Sequence, residues 1–88
     1  MENVIEKAKP QGKKYKFKVR NEAFETENQF ITGREVLEAA GLIPPNAYKL
    51  DLKMKGNHYQ EIGLDEVVDL GNPGIEKFTY ISRDQSEG

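Results

Sequence analysis

The chain of 88 residues contains no cysteine, no tryptophan and a single histidine, His58. Without cysteine there are no disulfides and no thiolate metal ligands, and a reducing cytoplasm is the natural compartment. A lone histidine leaves a transition metal without its usual ligands, so we expect no metal site and no cofactor. No apolar run approaches the roughly 18 residues of a membrane span, and the start of the chain lacks the apolar segment of a signal peptide.

The residue patterns of common catalytic sites are also missing. The turn Gly71–Gly74 lacks the Lys-Ser/Thr pair that follows a phosphate-binding loop. Ser82 and Ser86 fall on the final strand and tail, so no Ser/His/acid triad is suggested. Three carboxylates between residues 65 and 69 are spaced to cap backbone N–H groups rather than to form a calcium loop, which needs more oxygen ligands. We therefore expect a protein that is not an enzyme.

The charge that the chain does carry is unevenly distributed. Its net charge is −2, yet residues 1–20 hold seven basic groups against two acidic ones, and the remainder holds six basic and thirteen acidic groups. A basic first strand on an acidic body suits a polyanion or an acidic protein partner. It equally suits a solvated strand face whose lysines discourage edge-to-edge aggregation.

The clearest local pattern is a short helix that begins after Thr32 and ends at Gly41. Thr32 can cap the first turn, and Glu35 three residues later completes a capping box. Gly41 suits the left-handed position just past a helix end, and Pro44-Pro45 prevent continuation. A helix of about two to three turns is not stable alone in water, so it must lie against other elements.

Strands surround this helix. Alternation of apolar and polar residues, typical of half-buried strands, is clearest at the two longest basic segments. Strands are predicted at Lys14–Arg20, Ala23–Thr26, Tyr48–Lys55, His58–Ile62 (an edge strand after a two-residue turn at Gly56-Asn57) and Ile75–Ser82. Leu64–Leu70 fits either a helical turn or a strand, and the spacing of its apolar residues favours the helical turn.

This order of elements predicts an α+β fold, with a mixed sheet of four to five strands and one helix packed across it. That is the β-grasp, the architecture of ubiquitin-like proteins. A small α+β sandwich with another strand order has the same elements. We place the domain at residues 14–83, between a flexible leader at residues 1–13 and a flexible C-terminal tail at residues 84–88.

Four sequence segments of the domain have a more specific pattern: Ile31–Leu37, Ala40–Leu42, Ile62–Leu70 and Pro73–Phe78. Together they resemble the bacterial multi-ubiquitin domain family over roughly Lys14 to Arg83. The resemblance implies a single-domain ubiquitin-like member, since the sequence shows no internal repeat. It also implies a protein modifier or interaction module in a bacterial conjugation pathway, whose partners are relatives of activating and conjugating enzymes and a metallopeptidase.

The resemblance directs attention to the C-terminal tail. In ubiquitin-like modifiers the carboxylate of a terminal glycine is activated by other proteins, in a channel where a side chain would clash. Gly88 is the candidate conjugation residue, although it follows Ser86-Glu87 where such modifiers often have two glycines. The alternative is a non-covalent scaffold or binding domain that does not use its C-terminus.

The sheet face opposite the helix is the candidate partner-binding face. By alternation it carries Lys14, Lys16, Lys18, Lys49, Lys53, Thr79 and Ile81, together with Asp51. Ubiquitin has an apolar patch there, whereas only Ile81 is strongly apolar here, so we expect partners that present acidic groups; a merely solvated face is the alternative. A nucleic-acid-binding module is disfavoured, because the aromatic residues of the basic strand face the core and cannot stack bases. We expect a monomer that binds neither nucleic acid nor membranes.

Overall fold

The computed structural model describes residues 14–83, so the predicted leader at residues 1–13 and tail at residues 84–88 lie outside the described residues. The elements in chain order are β1 (Tyr15–Val19), β2 (Glu22–Thr26), β3 (Phe30–Thr32), α1 (Gly33–Ala39), a 3₁₀ turn (Pro45–Ala47), β4 (Tyr48–Met54), β5 (His58–Ile62), β6 (Val67–Asp69) and β7 (Ile75–Ser82). Among these elements no helix is long and apolar enough to cross a membrane.

Five of the strands form one sheet in the order β2-β1-β7-β4-β5, and β3 and β6 form a separate two-stranded ribbon. The first and last strands, β1 and β7, are parallel neighbours, and every other pair is antiparallel. The last of the described strands, β7, therefore lies at the centre of the sheet. This mixed sheet, with one helix packed across it, confirms the predicted ubiquitin-like β-grasp.

The helix begins and ends at the predicted residues. The Thr32 hydroxyl accepts from the Glu35 N–H at 3.2 Å, and the Glu35 carboxylate accepts from the Thr32 N–H at 2.8 Å. Gly41 adopts φ +76°, a backbone conformation that favours glycine, and donates to the carbonyl of Glu38 at 3.0 Å. The capping box and the glycine stop are thus confirmed.

The core lies between the helix and one face of the sheet. Val36 and Leu37 of α1 and Phe78 of β7 are fully buried. Phe17 stacks on Phe24 at 5.6 Å between ring centroids and meets the Phe78 ring edge-on at 6.0 Å. Burial of these side chains anchors a helix too short to be stable alone, and it orients the alternate residues of each strand outward.

The prediction of a helical turn within Leu64–Leu70 is wrong for its second half. Val67–Asp69 is strand β6, and it pairs with β3, a strand that is not among those predicted from the sequence. Val68 is 4% exposed and Val67 60% exposed, which is strand alternation rather than a helical stripe. Pairing between distant segments decides the conformation here, because it satisfies the backbone groups of both.

Two connections also differ from the sequence prediction. The β4–β5 hairpin pairs Met54 with His58, so its loop is the three residues from Lys55 to Asn57 rather than two. Gly56 and Asn57 both adopt positive φ, +84° and +63°, which accounts for the Gly-Asn signature. The connector after the helix, where the sequence predicts only that Pro44-Pro45 stop the helix, contains a 3₁₀ turn at Pro45–Ala47.

Candidate interaction face

The open face of the main sheet is set by the residues buried on its other side. Phe17, Val19 and Phe78 point into the core, so their sequence neighbours point outward. The predicted residues on this face are Lys16, Lys18, Lys49, Lys53, Thr79 and Ile81, and Lys14 is exposed just before β1. The register places Ile81 directly opposite Lys49. The structure thus brings these side chains together on three neighbouring strands, while their role in binding stays a prediction.

Two of the predicted lysines are already paired with carboxylates. Lys49 Nζ lies 3.1 and 3.2 Å from the two carboxylate oxygens of Asp51. Lys53 donates to Glu76, a hydrogen bond that raises the pKa of Lys53 above its usual value and lowers the pKa of Glu76 below its own. The β4 part of the face therefore carries less free positive charge than the sequence predicts.

Glu76 reaches this face through a bulge that alternation does not reveal. Lys53 lies opposite Lys77, but the next residue, Met54, lies opposite Ile75, so Glu76 is the extra residue. Strict alternation would have placed Glu76 on the core side with Phe78. A bulge re-aims side chains in this way, and no local sequence pattern announces it here.

The unpaired positive charge of this face lies on β1 and at Lys77 of β7, which is directly opposite Lys53. Lys16 and Lys18 make no salt bridge within residues 14–83. Lys16 lies opposite Glu25 and Lys18 opposite Ala23, so only one of the two has a carboxylate directly across the ladder. The electrostatic attraction predicted for this face therefore rests on β1 together with Lys77.

Tyr59 on β5 adds an apolar group that the sequence prediction omitted. It lies opposite Lys53 on the open face and is 60% exposed, and Ile81 is 41% exposed. Their partners on β4, Lys53 and Lys49, are four residues apart, or about 13 Å at strand spacing. The alternation of β5 could have revealed Tyr59, and the two apolar groups do not form one continuous patch.

Arg20, predicted as the last residue of the first strand, instead follows β1 and fixes the carboxyl-terminal half of β7. It lies in the β1–β2 turn with φ +55°, and its N–H donates to the Phe78 carbonyl at 2.8 Å. Its guanidinium donates to the Tyr80 carbonyl at 2.8 Å and lies 3.9 Å above the Tyr80 ring. The edge of β7 that extends past β1 is thereby capped.

The remaining polar clusters have structural partners. The described residues hold no group of three or more histidine and acidic side chains that could bind a metal. Asp65 pairs with Arg34 at 3.0 Å. Glu66 and Asp69 accept from the backbone N–H groups of Gly63 and Gly71, as the capping interpretation predicts.

The sequence model of the multiubiquitin family matches residues 15–82, a range that contains every strand and the helix described above. The chain belongs to the multiubiquitin family. No curated protein matches the chain, and no solved structure does. Membership of the multiubiquitin family confirms the resemblance seen in the four sequence segments and agrees with the β-grasp topology. The chain is thus a ubiquitin-like module, and Gly88 lies outside the described residues.

Proposed function

We propose that this multiubiquitin domain acts as a protein modifier or interaction module in a bacterial ubiquitin-like conjugation pathway in the cytoplasm, and that it is not an enzyme. The family match over the whole folded domain is the observation that supports the proposal most directly. The partners would be relatives of activating and conjugating enzymes and a metallopeptidase that removes the modifier. Gly88, which is the one glycine after β7, is the proposed attachment residue.

The chemistry would belong to the partners, and this chain would supply a carboxylate on a narrow tail. Arg20 supports the proposal because it holds the end of β7 through the Tyr80 carbonyl at 2.8 Å. A firmly held strand end gives a partner enzyme a defined point from which the tail departs. Glycine at the reacting position leaves the channel walls free of contact with a side chain.

The test is reaction of the full chain with its cognate activating-enzyme relative and ATP. With the full chain we expect a thioester adduct between the chain and the activating enzyme. Mass spectrometry of the undigested proteins should detect this adduct, and treatment with a thiol should remove it. Deletion of Gly88 should abolish the adduct. It should leave the fold unchanged, as judged by the backbone amide signals in the ¹H–¹⁵N NMR spectrum. An intact chain and a Gly88-deleted chain that behave alike would refute attachment through Gly88 and favour the non-covalent alternative.

The open face is the proposed docking surface for those partners. Lys16→Gln with Lys18→Gln should weaken binding of an acidic partner, and raised salt should weaken it further. Lys55→Gln, in the β4–β5 loop, is the matched control because it removes an exposed lysine away from β1. If neither raised salt nor the Lys16→Gln/Lys18→Gln double variant weakens binding, charge does not guide recognition of the partner.

A further inference from the structure

The ribbon of β3 and β6 has one buried face and one exposed face. Ile31 and Val68 point into the core and are each 4% exposed. Phe30 and Val67 point outward and are 58% and 60% exposed. Two large apolar side chains on one short ribbon are unusual for a solvent-facing surface, where apolar groups are normally scattered singly.

Phe30 and Val67 are neighbours across the ribbon. The register pairs Phe30 with Asp69 and Thr32 with Val67, so the two apolar side chains are diagonal partners, within reach of an aromatic ring. The ribbon is held at both ends. Leu70 donates to the Gln29 carbonyl at 2.7 Å, and Gly33 donates to the Glu66 carbonyl at 3.1 Å. The pair therefore sits on a fixed platform.

Three carboxylates lie on the ribbon or at its end, and neutral donors hold each of them. Asp69 accepts from the Gln29 side-chain amide at 2.9 Å and from the Gly71 N–H at 2.8 Å. Glu66 accepts from the Gly63 N–H at 3.0 Å, and Glu35 from the Thr32 N–H at 2.8 Å. None of the three forms a salt bridge within residues 14–83. The three carboxylates are therefore held in defined positions, one across from Phe30 and two at the end of the ribbon where Thr32 pairs with Val67.

We propose that Phe30 and Val67 form a second interaction surface, which binds a protein segment presenting a large apolar side chain flanked by lysine or arginine. The apolar pair supplies contact area, and the three fixed carboxylates complement the flanking positive charges at little ordering cost. The surface shares no residue with the open face of the main sheet, whose exposed lysines suit the opposite charge. It is also independent of attachment through Gly88.

The surface can be tested by NMR titration of the ¹⁵N-labelled full chain with three short peptides. Each peptide alternates two residue types along its sequence. A Lys/Leu peptide should shift the amide signals of Phe30, Thr32, Val67 and Asp69. A Lys/Ser peptide lacks the apolar group and a Glu/Leu peptide lacks the positive charge, so each should bind about tenfold more weakly, or about 1.4 kcal/mol. Shifts confined to the main sheet, or equal binding by either control peptide, would overturn the proposal.

Two variants test the surface without disturbing the ribbon. Asp69→Asn keeps the oxygen that accepts from Gln29 and Gly71 but removes the charge, and should weaken Lys/Leu binding about threefold, as for one exposed charge pair. Val67→Thr keeps the shape and removes one methyl group, and should weaken binding about fourfold. Glu22→Gln, on edge strand β2 of the main sheet, should leave affinity unchanged.

The variant results separate specific docking from its competitors. A loss in Glu22→Gln as large as that in Asp69→Asn would show general attraction to an acidic chain and overturn the proposal. Unchanged affinity in both ribbon variants, with native amide spectra, would do the same. Concentration-dependent shifts of the ribbon signals in the absence of peptide would identify a second copy of the chain as the occupant instead.

Discussion

Gly33 is the first residue of α1, and it packs directly against the loop before β6. A Cβ atom at this position would lie 2.4 Å from the carbonyl oxygen of Gly63 and 3.2 Å from Cγ2 of Ile62. The closer atom belongs to the backbone, so no side-chain rotation can relieve the contact. We therefore expect Gly33→Ala to destabilise the fold, even though alanine normally favours a helix over glycine.

The loop that Gly33 faces is tied to the start of the helix. Gly33 donates to the Glu66 carbonyl at 3.1 Å and Arg34 to the Leu64 carbonyl at 2.9 Å, so separating helix and loop weakens two hydrogen bonds. Overpacking of a filled site costs about 1–3 kcal/mol, and each weakened bond adds about 0.5–1.5 kcal/mol. After about 1 kcal/mol is returned by helix propensity, the net loss is about 1–5 kcal/mol, with a central value of about 3 kcal/mol. At this central value a chain of this size should melt about 12–24 °C lower.

Thermal and urea unfolding followed by circular dichroism measure this loss. Gly63→Ala is the matched control, because a Cβ there meets nothing closer than 3.9 Å. It should change the free energy of unfolding by less than about 0.5 kcal/mol. If Gly33→Ala unfolds at the same temperature as the parent chain or as Gly63→Ala, the steric reasoning fails.

Three further substitutions have defined outcomes. Leu37→Ala empties a fully buried position and should cost about 2–5 kcal/mol in urea unfolding; a smaller loss would mean that the helix is not anchored there. Thr32→Ala removes the hydroxyl that caps the Glu35 N–H and should cost about 1 kcal/mol by the same assay, an estimate that an unchanged midpoint would contradict. Lys53→Met should raise the pKa of the Glu76 carboxyl toward its usual value, followed by NMR titration of that side chain. Because the pKa of Glu76 is lowered in the folded state, its pairing with Lys53 stabilises the fold at neutral pH, and this stabilisation is lost as the pH falls through that pKa. The Lys53→Met variant should therefore lack this acid-dependent loss of stability. A titration identical to that of the parent chain would exclude the pairing.

The features that the sequence predicted are those with a local cause. Thr32 and Glu35 lie in one helical turn, and the alternation of Tyr48–Met54 lies in one strand, so both are readable from a few neighbouring residues. The ribbon was missed because β3 and β6 have three residues each and meet only through pairing between distant segments. Strand propensity depends on such context, and a three-residue segment has too short a pattern to show it.

The same distinction applies to the candidate binding face. Alternation placed Lys16 and Ile81 on the open side, where the structure has them. It could not place Glu76, because the bulge opposite Lys53 depends on how β4 and β7 meet. The exposed pair on the ribbon was equally hidden, since Phe30 becomes a surface residue only once its partner strand is known.

The central position of β7 determines when this domain can fold. Val19, near the amino-terminal end of the described chain, pairs with Phe78 on β7, the last of the described strands to be synthesised. Until that strand has been made, β1 and β4 have no neighbour between them, and the side chains of Phe17 and Leu50 cannot be enclosed. A shortened chain ending before β7 would stay unfolded and open to proteolysis. A partner that binds only the folded domain will therefore bind only chains that have been synthesised at least as far as Ser82.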